Sequence, residues 1–252
     1  YIPSDADTTA GTVTLTLTTA ANGLCQAYSD QMTVTISPAP IANASVDQTV
    51  CADIAAVPLN GSVITATGGT WTTSGPGTFS PDNNTLNASY VPTTADTIAG
   101  SVTLTLTTTG NGTCNAYTDD VLITFTTAPT VNAGTDITTC QDIASVALSG
   151  SVSIATGGTW ITSGSGTFNP NATTLIASYI PSATDTAAGT VTLTLTTTGN
   201  GLCNAYSDDV LITLTDIPVT LASSDQTVCA DIAGISLNGG VLNAIGGIWS
   251  TN

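Results

Sequence analysis

Three stretches of the chain alternate apolar residues with threonine. The run VTLTLTT occupies positions 13–19, 102–108 and 191–197. A period of two residues is the pattern of a half-buried β-strand, and the β-branched side chain of threonine suits strands. No segment carries the apolar stripe of 3.6-residue period that indicates a helix. The pattern therefore predicts an all-β fold.

About seven short strands are predicted between residues 46 and 127, around the second of these runs. They are VDQTVC, AVPLNGSV, GGTWTTS, GTFSP, TLNASYV, GSVTLTLTTT and DDVLITFTT, separated by Gly, Asn, Pro and Asp turns. Many short strands with such turns predict a two-sheet sandwich. Trp71 with Phe79, and Trp160 with Phe168, are expected to fill the space between the sheets. An exposed aromatic binding site is the alternative.

The chain repeats itself with a period of 89 residues. Tyr1, Tyr90 and Tyr179 open matching phrases at that spacing, and the cysteines and tryptophans follow it. A period of this length is the size of one small domain with its own core. Proline-bearing phrases at 37–45, 127–135 and 216–224 are the predicted linkers. The predicted organisation is 1–39 as the back of a module, 40–128 and 129–217 as complete modules, and 218–252 as the front of another.

Two interpretations of the half-modules stay open. The first is that the chain is a window of a longer periodic polymer. The second is a subunit whose two half-modules complete each other head to tail.

Composition narrows the possible partners. The chain has no Lys, Arg or His, and 17 acidic residues, all Asp, give a net charge of −17. Without cations it is a poor partner for nucleic acid or anionic lipid headgroups. No run approaches the roughly 20 apolar residues that span a bilayer. Trypsin-like proteases have no cleavage site, which favours an extracellular setting.

Six cysteines at fixed repeat positions predict disulfides and an oxidising compartment. Zinc is disfavoured, since two cysteines per module without histidine cannot fill a tetrahedral site. We predict the pairs Cys51–Cys114 and Cys140–Cys203 inside single modules. The alternative, which uses all six cysteines, is Cys25–Cys51, Cys114–Cys140 and Cys203–Cys229 across the linkers.

The phrases ANASVDQTVCADIAAVPLNGSV, GGTWTTSGPGTFSP and SVTLTLTTTGNGTCNAYTDDVLITF resemble immunoglobulin-like, PKD-like repeats of very large bacterial surface proteins. Such repeats occur in adhesins and filaments of gliding, Gram-negative, type IX-secreting bacteria. The resemblance implies a stalk or filament on the bacterial cell surface, built from neighbouring repeats or copies of the chain, that carries another part as its tip. The absence of Lys, Arg and Glu departs from the family pattern.

Catalysis is not expected, because it needs a base or nucleophile held in a pocket, the chain has no His, Lys, Arg or Glu, and the aspartates recur in every module. Calcium is a candidate ligand, since hard cations bind several carboxylate oxygens. The candidate aspartates lie after the hairpin loop or beside the linkers: Asp47, Asp119, Asp120, Asp136, Asp208, Asp209 and Asp225. The alternative is that they cap turns and solvate the surface.

A covalently attached sugar is the other candidate ligand. Thr8, Thr97 and Thr186 each follow an aspartate at one repeat position, in phrases that resemble the Asp-Ser/Thr-apolar O-glycosylation signal of the same bacterial group. Three functions are compared. The first is a structural stalk or fibre, which the near-identical loops favour. The second is a glycan- or surface-binding adhesin module that acts through its loops, and the third is ice or crystal binding through the threonine ladder, which the presence of only one such strand per module disfavours.

Overall fold

The protein is described by a computed structural model over residues 1–20 and 23–251. It forms two compact units, Tyr1–Thr127 and Ala128–Asn252. Each unit holds one complete sandwich and one partial one. None of the helices in the described ranges is long and apolar enough to cross a membrane.

The first unit begins with α1 Asp5–Ala10, β1 Thr12–Thr18 and β2 Ser29–Thr35. Its complete sandwich, module one, consists of β3 Ile41–Asn43, β4 Gln48–Cys51, β5 Val57–Pro58, β6 Ser62–Ile64, β7 Gly68–Thr73, β8 Thr78–Ser80, β9 Ser89–Val91, α2 Thr94–Ala99, β10 Ser101–Thr109 and β11 Thr118–Thr126.

The second unit repeats these elements in the same order. Its complete sandwich, module two, consists of β12 Thr130–Asn132, β13 Ile137–Cys140, β14 Val146–Ala147, β15 Ser151–Ser153, β16 Gly157–Thr162, β17 Thr167–Asn169, β18 Ser178–Ile180, α3 Ala183–Ala188, β19 Thr190–Thr198 and β20 Ser207–Thr215. The strands β21 Val219–Ala222 and β22 Gly239–Leu242 follow.

Two layers face each other in each complete module, as the sequence predicts. The larger sheet of module one has the order β4-β11-β10-β7, in which β4 is parallel to β11 and the other neighbours are antiparallel. The strands β5-β9-β8 and the pair β3-β6 form the smaller sheets. Module two has the same orders. This is an immunoglobulin-like β-sandwich, and the all-β prediction is confirmed.

The alternating run of β10 explains the core. Val102, Leu104 and Leu106 are buried, while the threonines between them are half-buried. Trp71 is fully buried and stacks on Phe79 at a centroid distance of 6.4 Å. The corresponding rings of module two, Trp160 and Phe168, have the same spacing. The prediction that these aromatic residues fill the core is confirmed.

Two features differ from the sequence prediction. The predicted linkers contain strands β3, β12 and β21, so their second halves belong to the modules they precede. Three six-residue helices are also present, although no helical periodicity was expected. A helix of fewer than two turns is too short to show an apolar stripe, and its end signals define it instead.

Candidate functional sites: the tyrosine–aspartate pair and the module ends

Each short helix begins with a capping box. In α3 the N-cap Ser182 accepts a hydrogen bond from the Asp185 main-chain N–H, and the Asp185 carboxylate accepts one from the Ser182 N–H at 2.8 Å. Thr93 with Asp96, and Ser4 with Asp7, repeat the arrangement. Gly189 ends the helix in the left-handed conformation at φ 75°. The repeated phrase Ser/Thr-x-x-Asp…Gly thus encodes a helix.

The capping aspartate of module two is buried, and a tyrosine binds it. The hydroxyl group of Tyr179 donates a 2.8 Å hydrogen bond to Oδ2 of Asp185, and the Ser165 N–H donates to Oδ1 at 3.0 Å. Both side chains are at most 2% exposed. Four different groups therefore hold one carboxylate inside the protein, with Ser182 contributing its hydroxyl and its N–H.

The pKa of the Asp185 carboxyl group is lowered, and the pKa of the Tyr179 hydroxyl group is raised. Burial opposes ionisation of Asp185, but the hydrogen bonds from Ser182, Ser165 and Tyr179 outweigh it and lower the pKa of the carboxyl group. Burial and the adjacent carboxylate raise the pKa of the Tyr179 hydroxyl. In the N-terminal partial sandwich, a hydrogen bond with Asp7 raises the pKa of Tyr1 to about 12. The pair is thus a neutral donor and an anionic acceptor at neutral pH, which suits a structural bond.

The candidate glycosylation threonines lie inside these helices. Thr97 Oγ1 donates to the Thr94 carbonyl oxygen at 3.1 Å, and Thr186 Oγ1 donates to that of Ala183 at 2.9 Å. Both residues are half-buried, whereas Thr8 is exposed. The aspartate that precedes each threonine is the capping residue, so helix capping accounts for the recurrence of the Asp-Thr phrase without a glycan.

Four of the candidate calcium ligands bind main-chain amides. Asp119 Oδ2 accepts a 2.8 Å hydrogen bond from the Ala44 N–H, and Asp47 Oδ1 accepts a 2.9 Å bond from the Leu122 N–H. Asp208 and Asp136 make the equivalent bonds in module two. These reciprocal bonds fix the segment around β3 to the strand β11.

The remaining candidates, Asp120, Asp209 and Asp225, are exposed. Asp47 and Asp119 thus both join the segment around β3 to the strand β11, whereas Asp120 lies on the outer face of the sheet.

The predicted disulfides inside single modules are wrong. Cys114 and Cys140 have free thiols, as do Cys25 and Cys229, while Cys51 and Cys203 are disulfide-bonded. The register explains the error: Cys51 lies opposite Thr126 at the end of β11, whereas Cys114 precedes the start of that strand. At about 3.3 Å per residue the two ends of β11 are roughly 27 Å apart, far beyond the Cα separation of a disulfide.

The alternative pairing, which joins Cys25 to Cys51, Cys114 to Cys140 and Cys203 to Cys229, is not formed either. Within the first unit, Cys114 Sγ lies 3.6 Å from the Pro38 carbonyl oxygen and 3.9 Å from that of Ser37. The hairpin loop thus holds its cysteine against the segment that precedes module one, and β4 holds Cys51 at the other end of the module.

The tyrosine–aspartate pair was missed in the sequence. Its signal is the spacing Tyr-x-Pro-Ser/Thr-x-x-Asp at residues 1–7, 90–96 and 179–185. The sequence identifies the phrase as a repeat, and its aspartate resembles part of an O-glycosylation signal. A buried aspartate with a hydroxyl partner is rare enough that only the tertiary structure identifies it.

Comparison with known proteins gives likeness in fold only. No family model and no curated protein matches the chain. Similar solved structures include mouse cadherin-23 EC22-24 (13% identity, 84% of this chain and 77% of that one, TM-score 0.33). Others are the protocadherin gammaB4 extracellular domain (14%, 94% and 44%, TM-score 0.40) and Sidekick-1 immunoglobulin domains 1–5 (11%, 81% and 46%, TM-score 0.34). This chain covers less than half the length of the latter two structures. These distant likenesses carry no argument about function.

Proposed function

We propose that this chain is part of the shaft of an extracellular fibre or stalk on a bacterial surface, in which tandem sandwiches act as structural spacers without catalytic activity. The observation that carries the proposal is the repetition of one closed core: Trp71 and Trp160, Tyr90 and Tyr179 are all buried in equivalent places. A chain that repeats its core and its loops provides length and stiffness, whereas a binding surface needs a varied set of contacts.

Surface charge supports the same role. All the ionised side chains are aspartates, so the modules repel one another and anionic surfaces. The proposed partners are therefore neighbouring repeats of the same chain or further copies of it. For the amide-bound aspartates we propose a structural role, with dissolved cations as screening counterions. The bacterial setting is supported by the resemblance of the repeat phrases.

Immunogold electron microscopy of the producing cells tests this proposal. Antibodies raised against the chain are expected to label extracellular fibres along their length. Labelling confined to fibre tips would support an adhesive role instead, and labelling inside the cell would overturn the proposal.

A second candidate function is glycan or surface binding by the module. The observation that favours it is an open groove of about 500 Å³ beside β8, lined in part by Thr78, Phe79, Asp82 and Asn83. An aromatic ring with nearby carboxylate and amide groups suits a sugar. Asp82 is replaced by Asn171 in module two. A glycan array probed with the whole chain tests this candidate. Binding that is removed by Asp82→Asn, which introduces the residue found at the equivalent position of module two, would establish it.

Covalent O-glycans at Thr8, Thr97 and Thr186 are a separate proposal. Mass spectrometry of the native protein tests it, because each hexose adds a fixed mass to the peptide. The exposed Thr8 is expected to be modified most completely, since the other two hydroxyl groups are half-buried and bonded to helix carbonyls.

A further inference from the structure

Asparagine followed by glycine occurs at three places in the complete modules. Asn60-Gly61 and Asn111-Gly112 lie in module one, and Asn200-Gly201 lies in module two at the position equivalent to Asn111-Gly112. Glycine has no side chain to shield its main-chain nitrogen, and its backbone rotates more freely than that of any other residue. At such a pair the glycine nitrogen can therefore attack the side-chain amide of the preceding asparagine and close a five-membered ring.

The core of module one protects the first of these pairs. Gly61 is buried, and its main-chain N–H donates a 3.1 Å hydrogen bond to the Leu86 carbonyl oxygen. A Cβ atom at Gly61 would lie 2.7 Å from Trp71 Cζ2 and 2.8 Å from that carbonyl oxygen. Ring closure at Asn60 requires the peptide group to rotate, which would break the hydrogen bond and push the chain into the tryptophan.

The hairpin loops leave the corresponding nitrogen accessible. Gly112 and Gly201 are exposed, and a Cβ atom at either position would meet no atom within 4 Å. Within the described ranges of the chain, neither main-chain N–H donates a hydrogen bond. Rotation of the peptide group before Gly112 costs one turn bond, from the Cys114 N–H to the Asn111 carbonyl oxygen. The loops therefore oppose ring closure much less than the core does.

The two loop asparagines are also weakly held by their side chains. Asn111 Nδ2 donates to the Thr108 carbonyl oxygen at 3.1 Å, and Asn200 Nδ2 donates to that of Thr197 at 3.4 Å. Among the described residues, the buried Oδ1 atom of either asparagine has no hydrogen-bond partner. A buried acceptor without a donor costs free energy, which favours release of the side chain from this position. Only one side-chain hydrogen bond has to break before the amide carbon can meet the glycine nitrogen.

We propose that Asn111 and Asn200 are sites of spontaneous deamidation, so that each complete module modifies its own hairpin loop without an enzyme. The glycine nitrogen gives its proton to hydroxide and attacks Cγ of the asparagine. The new C–N bond closes the ring, the bond from Cγ to Nδ2 breaks, and the amide leaves as ammonia. Water then opens the ring at either carbonyl group and leaves aspartate or isoaspartate. Water is consumed, one carboxylate and one ammonium ion are formed, and nothing is oxidised or reduced.

The product cannot hold the loop as the asparagine does. A carboxylate at position 111 has no N–H to donate, and its oxygen would face the Thr108 carbonyl oxygen, which is also an acceptor. Each conversion also adds one negative charge to a chain whose net charge is already −17. The modified loop is therefore released from the end of β10, and an aged molecule differs from a new one at these positions. The inference goes beyond the proposed fibre function and does not depend on it.

Incubation of the whole chain at mildly alkaline pH, followed by peptide mapping, tests the proposal. Chymotrypsin and an Asp-directed protease generate the peptides, mass spectrometry detects the loss of the amide, and an isoaspartyl methyltransferase labels isoaspartate. We expect Asn111 and Asn200 to convert at least about tenfold faster than Asn60, because a buried hydrogen bond has to break at Asn60. The same incubation in urea is expected to remove this difference, since all three asparagines precede glycine.

Two substitutions at one position give the matched variants. Asn111→Gln keeps an amide group, but its longer side chain would have to close a six-membered ring, which is slower. This variant is expected to show no conversion at position 111 and an unchanged rate at Asn200, the internal reference. Asn111→Asp reproduces the product and is expected to speed hydrogen exchange of the main-chain amides of residues 108–117, while the equivalent loop of module two keeps its rate.

Three results would overturn the inference. They are conversion of Asn60 as fast as that of the loop asparagines in the folded chain, no conversion at either loop asparagine, and a rate difference that persists in urea. Antibody labelling of fibres along their length would leave the proposed function standing in each of these cases.

Discussion

The Tyr179 hydroxyl group donates a 2.8 Å hydrogen bond to the Asp185 carboxylate, which also caps α3. The pair joins the helix to the smaller sheet of the sandwich, because Tyr179 lies in β18 and contacts Phe168 of β17. One buried carboxylate therefore fixes the crossing between the two sheets of the module.

Removing the tyrosine hydroxyl is expected to destabilise module two. Tyr179→Phe deletes a buried bond to a charged group, which contributes about 1.5–3 kcal/mol to the free energy of unfolding. Calorimetry of the whole chain measures the effect, with module one as an internal reference. Tyr206→Phe, at a 40% exposed ring in the hairpin loop, is the control and is expected to change little. Equal effects of the two variants would contradict the structural role of the pair.

The same pair predicts a stability maximum between acidic and alkaline limits. The folded-state pKa of Asp185 is lowered, so its contribution is present above about pH 4, the unfolded value, and is lost as the pH falls through the folded pKa. The folded-state pKa of Tyr179 is raised, so its contribution is present below about pH 10 and is lost as the pH rises through the folded pKa.

The melting temperature of module two against pH tests this. Tyr179→Phe is expected to flatten the alkaline limb for module two, while Tyr90, whose pKa is also raised, keeps that limb in module one. An unchanged alkaline slope in the variant would show that another group is responsible.

Substitution of the aspartates that accept hydrogen bonds from main-chain amides distinguishes a structural role from calcium binding. Asp119→Ala leaves the Ala44 N–H without its acceptor and is expected to lower the free energy of unfolding of module one by about 1–3 kcal/mol. The loss is expected to be the same with calcium or with a chelator. Asp120→Ala, on the exposed side of the same strand, is the control. Calcium-dependent stability that disappears in either variant would instead establish a cation site.

A glycine beneath the core tryptophan predicts sensitivity to a single methyl group. A Cβ at Gly150 would lie 2.6 Å from Trp160 Cζ2 and 2.8 Å from the Leu175 carbonyl oxygen. Because one neighbour is main chain and cannot move aside, Gly150→Ala is expected to cost about 1–3 kcal/mol of stability in module two. Urea unfolding measures it. Gly234→Ala, where a methyl group meets no atom within 4 Å, is expected to have little effect.

The sequence predicts the strands better than it predicts the disulfide bonds. The alternation in β10 and the recurrence of Trp71 are local patterns, and both lead to the correct core. The position of Cys51 is not local: it depends on β4 lying parallel to β11, a pairing between segments about 75 residues apart. No spacing along the chain reveals that the two cysteines of a module lie at opposite ends of it.

The short helices show the opposite case. Their information is local, since Ser182, Asp185 and Gly189 define α3 completely, but it is carried by end signals rather than by periodicity. What the sequence does not reveal is that Asp185 is buried against Tyr179. Burial of a charged group depends on the packing of the whole sandwich.

Single-molecule stretching of the whole chain tests the central claim, that the complete modules are independent structural units of a fibre. Under reducing conditions, which open the disulfide bonds of Cys51 and Cys203, we expect two abrupt unfolding events per molecule. Each is expected to release about 30 nm of chain, as residues 41–126 or 130–215 become extended. The Gly150→Ala variant is expected to lower the force of one event and leave the other unchanged. Gradual extension without discrete events, or a single event for the whole chain, would contradict it.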